Sequence, residues 1–519
     1  MFSLLGLPGL LAFIVVILLV LRKLLSCRDA QHHHLPPGPK ALPVLGNVHQ
    51  LPVEYQERTF SEWGQKYGDI MYAKLFQRDT IIINSLKVAK DLLEKRSTNY
   101  SDRPPLIFLN ELLGWEGVIS HLSYTPQFRR QRRWIEAAFL NKESLSNYQP
   151  IQRRECYILL SGLLSSPDEF ANHLTRFAAS IILEITYGHK VTGEDDSYIE
   201  IGETAASETT RAGSPGSMLV DFFPILKHYP LWLPGSAFKH NAARVKVLVR
   251  RLMDVPYDMV KEKMASGTAW PSYVSNLLED FYRRGVELTH QDVEDIKCSA
   301  GALYAAGTET TATILIKFLL AMVHYPEVLE KAKEEMDRVV GFDRLPDFND
   351  REGLPYLDCV IKEIYRWHVP VPLGVPHASV KDDEFNQYHI PQKSMIIPNI
   401  WGMSQDIKYY PEPDKFNPDR FFNLDKDTRE SIDPNEFVFG FGRRTCPGRD
   451  LADSSIFLAC ANLIATMDIS KAKDRDGNSI MPSLDFTPGF VSHTKPFKVS
   501  LIPRSEKAVD LIQQMAVIG

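Results

Sequence analysis

The chain has 519 residues, 44% of them hydrophobic and 24% charged, with a formal net charge of −6. That balance belongs to a globular protein with ample material for a core and excludes a disordered or fibrous chain. No basic stripe accompanies the acidic balance, which argues against a nucleic-acid partner, and six cysteines scattered at 27, 156, 298, 359, 446 and 460 form no disulfide framework and suit a reducing compartment.

Residues 2–21, FSLLGLPGLLAFIVVILLVL, are uncharged and reach the ~20 residues that a helix needs to cross a bilayer. They lack the basic n-region and small-residue cleavage pattern of a signal peptide, so they read as an anchor. Arg22, Lys23 and Arg28 follow, which puts the rest of the chain on the cytoplasmic side, where the Asn99-Tyr100-Ser101 sequon would not be glycosylated. The stretch HHHLPPGPKALPVLGN, residues 32–47, has prolines at 36, 37, 39 and 43 that stiffen it into a hinge. Past residue 50 there is no linker or repeat. The expected organisation is an anchor over 1–24, a basic and proline-rich hinge over 25–50, and one large domain over 51–519.

Two apolar runs between residues 70 and 84, IMYAKLF and TIIIN, predict short strands. The aromatic-rich stretch 219–234 suits either a membrane-dipping region or a buried helix connection. From Gln291 to His324 a helical pattern runs for ~50 Å at 1.5 Å per residue. Its centre, AAGTETT over 305–311, puts Gly307 where a helix loses ~1 kcal/mol relative to alanine. Two readings are open: close packing at the glycine with threonines bonding back to carbonyls, or a kinked groove in which Glu309 and Thr310 pass protons to a ligand. Further on, Glu363 and Arg366 share a helix face in KEIYRWH, and FNPDRF sets Arg420 in a loop.

The segment FVFGFGRRTCPGRDLADSS, from Phe437, gathers three glycines, two arginines and Cys446 just ahead of a helix with apolar residues at 451, 452, 456, 459, 460, 463 and 464. Free N–H groups and the dipole at that helix start would favour a metal-binding thiolate. An inert thiol in a glycine-rich turn is the alternative. Structural zinc fits poorly, because the nearest other cysteine, Cys460, lies inside the helix.

Taken in order, the anchor, PPGPKALPVLGN, AGTETT, EIYR, PDRF and FGFGRRTCPG resemble the cytochrome P-450 superfamily, and in particular its membrane-anchored fungal members. The resemblance covers the whole chain. It implies a mainly α fold with small β-sheets, with haem b held between the long central helix and the cysteine-loop helix. Cys446 would be the axial thiolate and metal ligand, and Phe439, Arg444, Arg132 and His377 would contact the cofactor. Glu309 and Thr310 would deliver protons during O2 activation, while Glu363, Arg366 and Arg420 would brace the cysteine loop. The family often has tryptophan where this chain has Phe128, which removes an indole N–H contact to a haem propionate.

The activity so implied is monooxygenation of a lipophilic small molecule in fungal secondary metabolism, such as terpenoid or aromatic hydroxylation. Electrons would come from NADPH through a membrane-bound cytochrome P-450 reductase, since no flavin or ferredoxin domain is fused to the chain. The protein would sit on the endoplasmic reticulum, in contact with membrane lipid. The rivals are a haem-thiolate isomerase or dehydratase needing no reductase, and a non-catalytic haem sensor. The acid and hydroxyl at 309 and 310 favour the monooxygenase over both. Apolar stretches at 106–123, 369–375 and 484–490 map to the family's substrate-contact regions.

Overall fold

The computed structural model describes residues 34–518 apart from 194, 213–217, 426–427 and 429–430, so the expected anchor at 2–21 lies outside the described residues. Helices of ten or more residues are numbered here. They are α1 (Gln56–Tyr67), α2 (Pro126–Phe139), α3 (Lys142–Ser165), α4 (Phe170–Tyr187), α5 (Ser197–Ala212), α6 (Ala237–Ala265), α7 (Tyr273–Arg283), α8 (His290–His324), α9 (Pro326–Val339), α10 (Pro355–Trp367), α11 (Arg449–Thr466) and α12 (Glu506–Ile518). The strands are β1 (Ile70–Leu75), β2 (Arg78–Ile83), β3 (His377–Ala378), β4 (Asp383–Phe385), β5 (Tyr388–Ile390), β6 (Met395–Pro398), β7 (Met467–Lys471) and β8 (Val499–Pro503). The fold is mainly α with small sheets, as the motifs imply.

Helix α8 is the axis of the domain. It starts at a capping box in which Thr289 and Asp292 satisfy each other's backbone N–H groups. It packs most extensively on α4, and also on α6, α11 and α10. Among the described residues it is the one helix long and apolar enough to cross a membrane, but its apolar stretch is 72% buried, which marks it as the core helix of the domain.

The largest sheet has the order β1-β2-β6-β3, with β2 parallel to β6 and the other pairs antiparallel. Alternation sorts its side chains onto two buried faces: Ile81, Ile83 and Ile396 join one apolar cluster, and Ile82, Met395 and Ile397 another. That register sets His377 opposite Ile396 at the sheet edge.

The proline-rich segment runs along β1. Tyr72 N donates to Pro37 O, Asn47 N to Lys74 O, and Gly46 bridges Leu75. The reading of 219–234 as a buried helix connection does not describe what is seen: Ile225 and Trp232 are 74% and 81% exposed, while Phe222 and Phe223 pack on Phe76. Phe76 N in turn donates to Leu45 O, next to exposed Leu42 and Val44.

Candidate active site

A cavity of about 430 Å3 lies between α8 and the loop that leads into α11. That size is within the ~300–1,000 Å3 usual for small-molecule sites. The seven residues expected to contact the cofactor or deliver protons all line it: Glu309 and Thr310 on α8, Phe439, Arg444 and Cys446 on the loop, and Arg132 and His377.

The α8 wall is open because its facing residues are small. Ala302, Ala306, Thr310 and Ile314 recur every four residues along the lining, with Gly307 beside them. The helix is continuous from 290 to 324, and two features of the packing reading are present in it. A Cβ on Gly307 would come 3.1 Å from Ile182 of α4, and the Thr310 hydroxyl donates to Ala306 O at 2.7 Å. That bond uses the hydroxyl's one proton and leaves its oxygen able to accept from the cavity. The Glu309 carboxylate meets His493 Nε2 at 3.0 Å.

The facing loop is closed by Cys446 N donating to Phe439 O at 2.7 Å. Gly442 has φ +53°, and a Cβ there would stand 2.3 Å from Leu93 O, so only glycine fits. Phe439 is held edge-on by Tyr365 of α10 at 5.5 Å. The Cys446 side chain is exposed, and what it faces is the cavity. Burial pushes the thiol above its ordinary value, while the Gly448 N–H at the helix start, Arg132 and Arg449 act in favour of the thiolate.

One end of the cavity is strongly cationic. Arg444 donates to Ser101 O, Ile119 O and Leu122 O, Arg103 to Ser120 O, Val375 O and Pro376 O, and Arg132 to Thr445 O. Arg132 also pairs with Glu136 at 2.6 Å, but among the described residues no ion pair joins Arg103 or Arg444 to a carboxylate. Burial is the main reason that Arg444 falls to about 10, that Arg103 and His377 lie well below their usual values, and that His121 falls to about 3; neighbouring arginines add to the last three. His377 Nδ1 donates to Tyr100 O, whereas His121 Nδ1 is buried without a partner. Asp102 favours the charge of Arg103 and Arg444 without pairing directly with either, so these cations and the His121 nitrogen form a cradle for an anion.

Arg103 and His121 were not expected from the sequence, and neither carries a signal there, since a lone Arg before prolines and a lone His in a loop are ordinary. Phe128 is 3% exposed and lies under Arg444, whose guanidinium carbon is 3.8 Å from the ring centroid. This cation–π contact steadies the arginine.

Glu363 takes two bonds from Arg366, at 2.7 and 2.8 Å, and one from Arg420 at 3.1 Å, all fully or nearly buried. Glu363 also accepts from Asn417 N at 2.8 Å, and the remaining bonds of the arginines run to the carbonyls of Ser404, Pro411, Glu412 and Lys415. The contact with the cysteine loop comes from the neighbouring Tyr365.

Away from the cations the walls are apolar. The 106–123 stretch supplies Leu109, Trp115, Val118 and Ile119, and 369–375 supplies Pro370, Val371, Gly374 and Val375. From 484–490 only Phe490 takes part, and Phe486 instead stacks on His368. Ile181 and Ile182 of α4 and Ala206, Thr209 and Thr210 of α5, unforeseen, complete the wall.

The family profile described as Cytochrome P450 matches residues 36–501. Cytochrome P450 monooxygenase 136 of Postia placenta is 46% identical over 93% of this chain and 91% of its own length. Cytochrome P450 monooxygenase claR of Ampulloclitocybe clavipes is 40% identical over 94% and 90%, and Cytochrome P450 monooxygenase ppsD of Aspergillus oryzae 37% over 93% and 91%.

Proposed function

The chain belongs to the cytochrome P450 family and is a P450 monooxygenase, and from that premise we propose that it oxidises a lipophilic small molecule of fungal secondary metabolism with electrons from NADPH through a membrane-bound reductase. The observation that carries the site assignment is that Cys446, Glu309 and Thr310 line one cavity together with Arg103 and Arg444, which pair with no carboxylate among the described residues. The residues fit haem b. Cys446 would be its axial thiolate, Phe439 would lie beside it, and Arg103, His121, Arg132, His377 and Arg444 would take its two propionates. Bound there, haem supplies O2 activation, and its thiolate favours O–O cleavage.

The chain's own residues have separate tasks. The cations hold the anion and hence the orientation of the cofactor. Thr310 Oγ1 accepts a hydrogen bond from the cavity side while tied to Ala306 O, and Glu309 supplies the proton. The apolar wall from Trp115 to Phe490 excludes water and selects lipophilic substrates. Trp115 Nε1 donates to Thr209 Oγ1, which itself donates to Ala205 O, so this pair makes few demands on a substrate.

We place the protein on the endoplasmic reticulum membrane, anchored through residues 2–21, with the hinge leading to a cytoplasmic catalytic domain. Exposed Leu42 and Val44 belong to the segment whose Leu45 carbonyl bonds Phe76, and exposed Ile225 and Trp232 to the segment whose Phe222 and Phe223 pack on Phe76, which supports one face resting on lipid. The test is the ferrous carbonyl spectrum of the purified protein, followed by binding spectra against lipophilic compounds and by turnover with and without NADPH and reductase. A thiolate-type Soret band with NADPH-dependent oxidation is expected. Product formation without electrons would refute the reductase-fed reading.

A further inference from the structure

Glu309 does not stand alone at the cavity wall. His493, from the segment between β7 and β8, puts Nε2 3.0 Å from Glu309 Oε1 and Nδ1 2.9 Å from Thr313 Oγ1. The histidine is itself pinned, because its N–H donates to Thr487 Oγ1 at 3.0 Å and its carbonyl accepts from Thr487 N at 2.7 Å. Thr313 and Glu309 are one turn apart on α8 and share a face.

The proton assignment follows from the hydrogen-bond inventory. Thr313 Oγ1 donates its only proton to Glu309 O at 2.7 Å, so toward His493 it accepts, and Nδ1 carries a hydrogen. With Nδ1–H fixed, the contact between Nε2 and Oε1 holds one shared proton. It sits either on nitrogen, as imidazolium against carboxylate, or on oxygen, as imidazole against carboxylic acid. Both states satisfy every hydrogen bond. Glu309 lines the cavity and His493 does not, yet the His493 side chain is 36% exposed and so opens elsewhere.

We infer that His493 is a positioning residue and proton source for Glu309, joining the cavity wall to solvent. The N–H bond at Nε2 breaks as the O–H bond at Oε1 forms, and the electron pair left on Nε2 gives a neutral imidazole still bonded through Nδ1 to Thr313. Glu309 then passes that proton into the cavity, and Nε2 regains one from water. The inference rests on the monooxygenase reading, in which Glu309 supplies protons.

The variants that separate relay from mere clasp are H493Q, whose amide can still donate to Glu309 but cannot change protonation state, and H493A, which removes both. Each is purified with its haem and compared with wild type and E309Q. The first readout is the infrared C–O stretch of the ferrous carbonyl form, and the second is the share of NADPH electrons released as peroxide without added substrate, in H2O and D2O. The thiolate Soret band should be the same in all four proteins. The C–O band should move in H493Q as in E309Q, and the flux of protonated product, water, should fall by on the order of 10²-fold, the low end of general acid–base contributions. H493Q with wild-type band, peroxide share and isotope effect would overturn the relay, and so would loss confined to H493A. A wild-type protein without the thiolate band would instead overturn the function proposed above.

Discussion

Arg444→Met removes a buried charge and keeps most of the stem, so it separates two roles of the side chain. In the protein without cofactor, the fall of Arg444 from 12.5 to about 10 represents roughly 3 kcal/mol of charge-burial cost at 1.36 kcal/mol per pH unit. The sign is that of a base with a lowered folded-state value: the cost is fully present below pH 10 and relieved as pH rises toward 12.5. Against it stand three hydrogen bonds to Ser101, Ile119 and Leu122, worth ~1 kcal/mol each. The two nearly cancel, so the apoprotein's urea stability should change by less than ~1 kcal/mol. With haem present the propionate loses a charged hydrogen bond of ~1.5–3 kcal/mol, which is about a 10- to 150-fold loss of affinity. Haem transfer to apomyoglobin measures it. A variant that keeps its haem like wild type while its apoprotein loses ~3 kcal/mol would show that Arg444 is only a tie between loops and that the cationic end is no anion site.

Replacing Cys446 with serine should abolish the thiolate Soret band of the ferrous carbonyl form; a retained band would disprove the ligand assignment. Thr310→Ala should keep haem but divert electrons to peroxide, and unchanged product per NADPH would remove the residue from proton delivery. Glu363→Ala leaves Arg366 and Arg420 buried without their shared carboxylate, and should cost ~3–5 kcal/mol in urea unfolding. His121, held to about 3 by burial and by Arg103 and Arg444, makes the apoprotein lose stability as pH falls from ~6.5 toward 3, because the unfolded chain binds the proton first. His121→Asn should flatten that slope in pH-dependent unfolding, and an unaltered slope would place the titration elsewhere.

The sequence revealed those parts of the site whose chemistry is carried by neighbours along the chain. Cys446 precedes its helix by three residues, and Glu309 and Thr310 break the composition of theirs, so both stood out. The strands at 70–75 and 78–83 and the helices at 290–324 and 449–466 matched their apolar patterns closely because each buries a face against the core. Arg103, His121 and His493 were illegible for the opposite reason. Each acquires its surroundings only when a loop closes on a distant element: Arg103 bonds across to 375 and 376, and His493 meets α8 some 184 residues away. Nor could the sequence show Phe128 as the surface on which Arg444 rests, since cation–π contact depends on the three-dimensional approach.

Gly442 has a consequence for how portable the ligand loop is. Its missing Cβ leaves room for the Leu93 carbonyl, in a turn at 90–95 that lies outside the lining of the cavity. The loop's shape is therefore a joint product of two stretches of chain some 350 residues apart. Grafting residues 437–449 onto another scaffold would transfer the thiol but not the template against which the loop is moulded. In this protein, drift at Leu93 or in its turn would reach Cys446 through main-chain crowding alone, with every residue of the cavity unchanged.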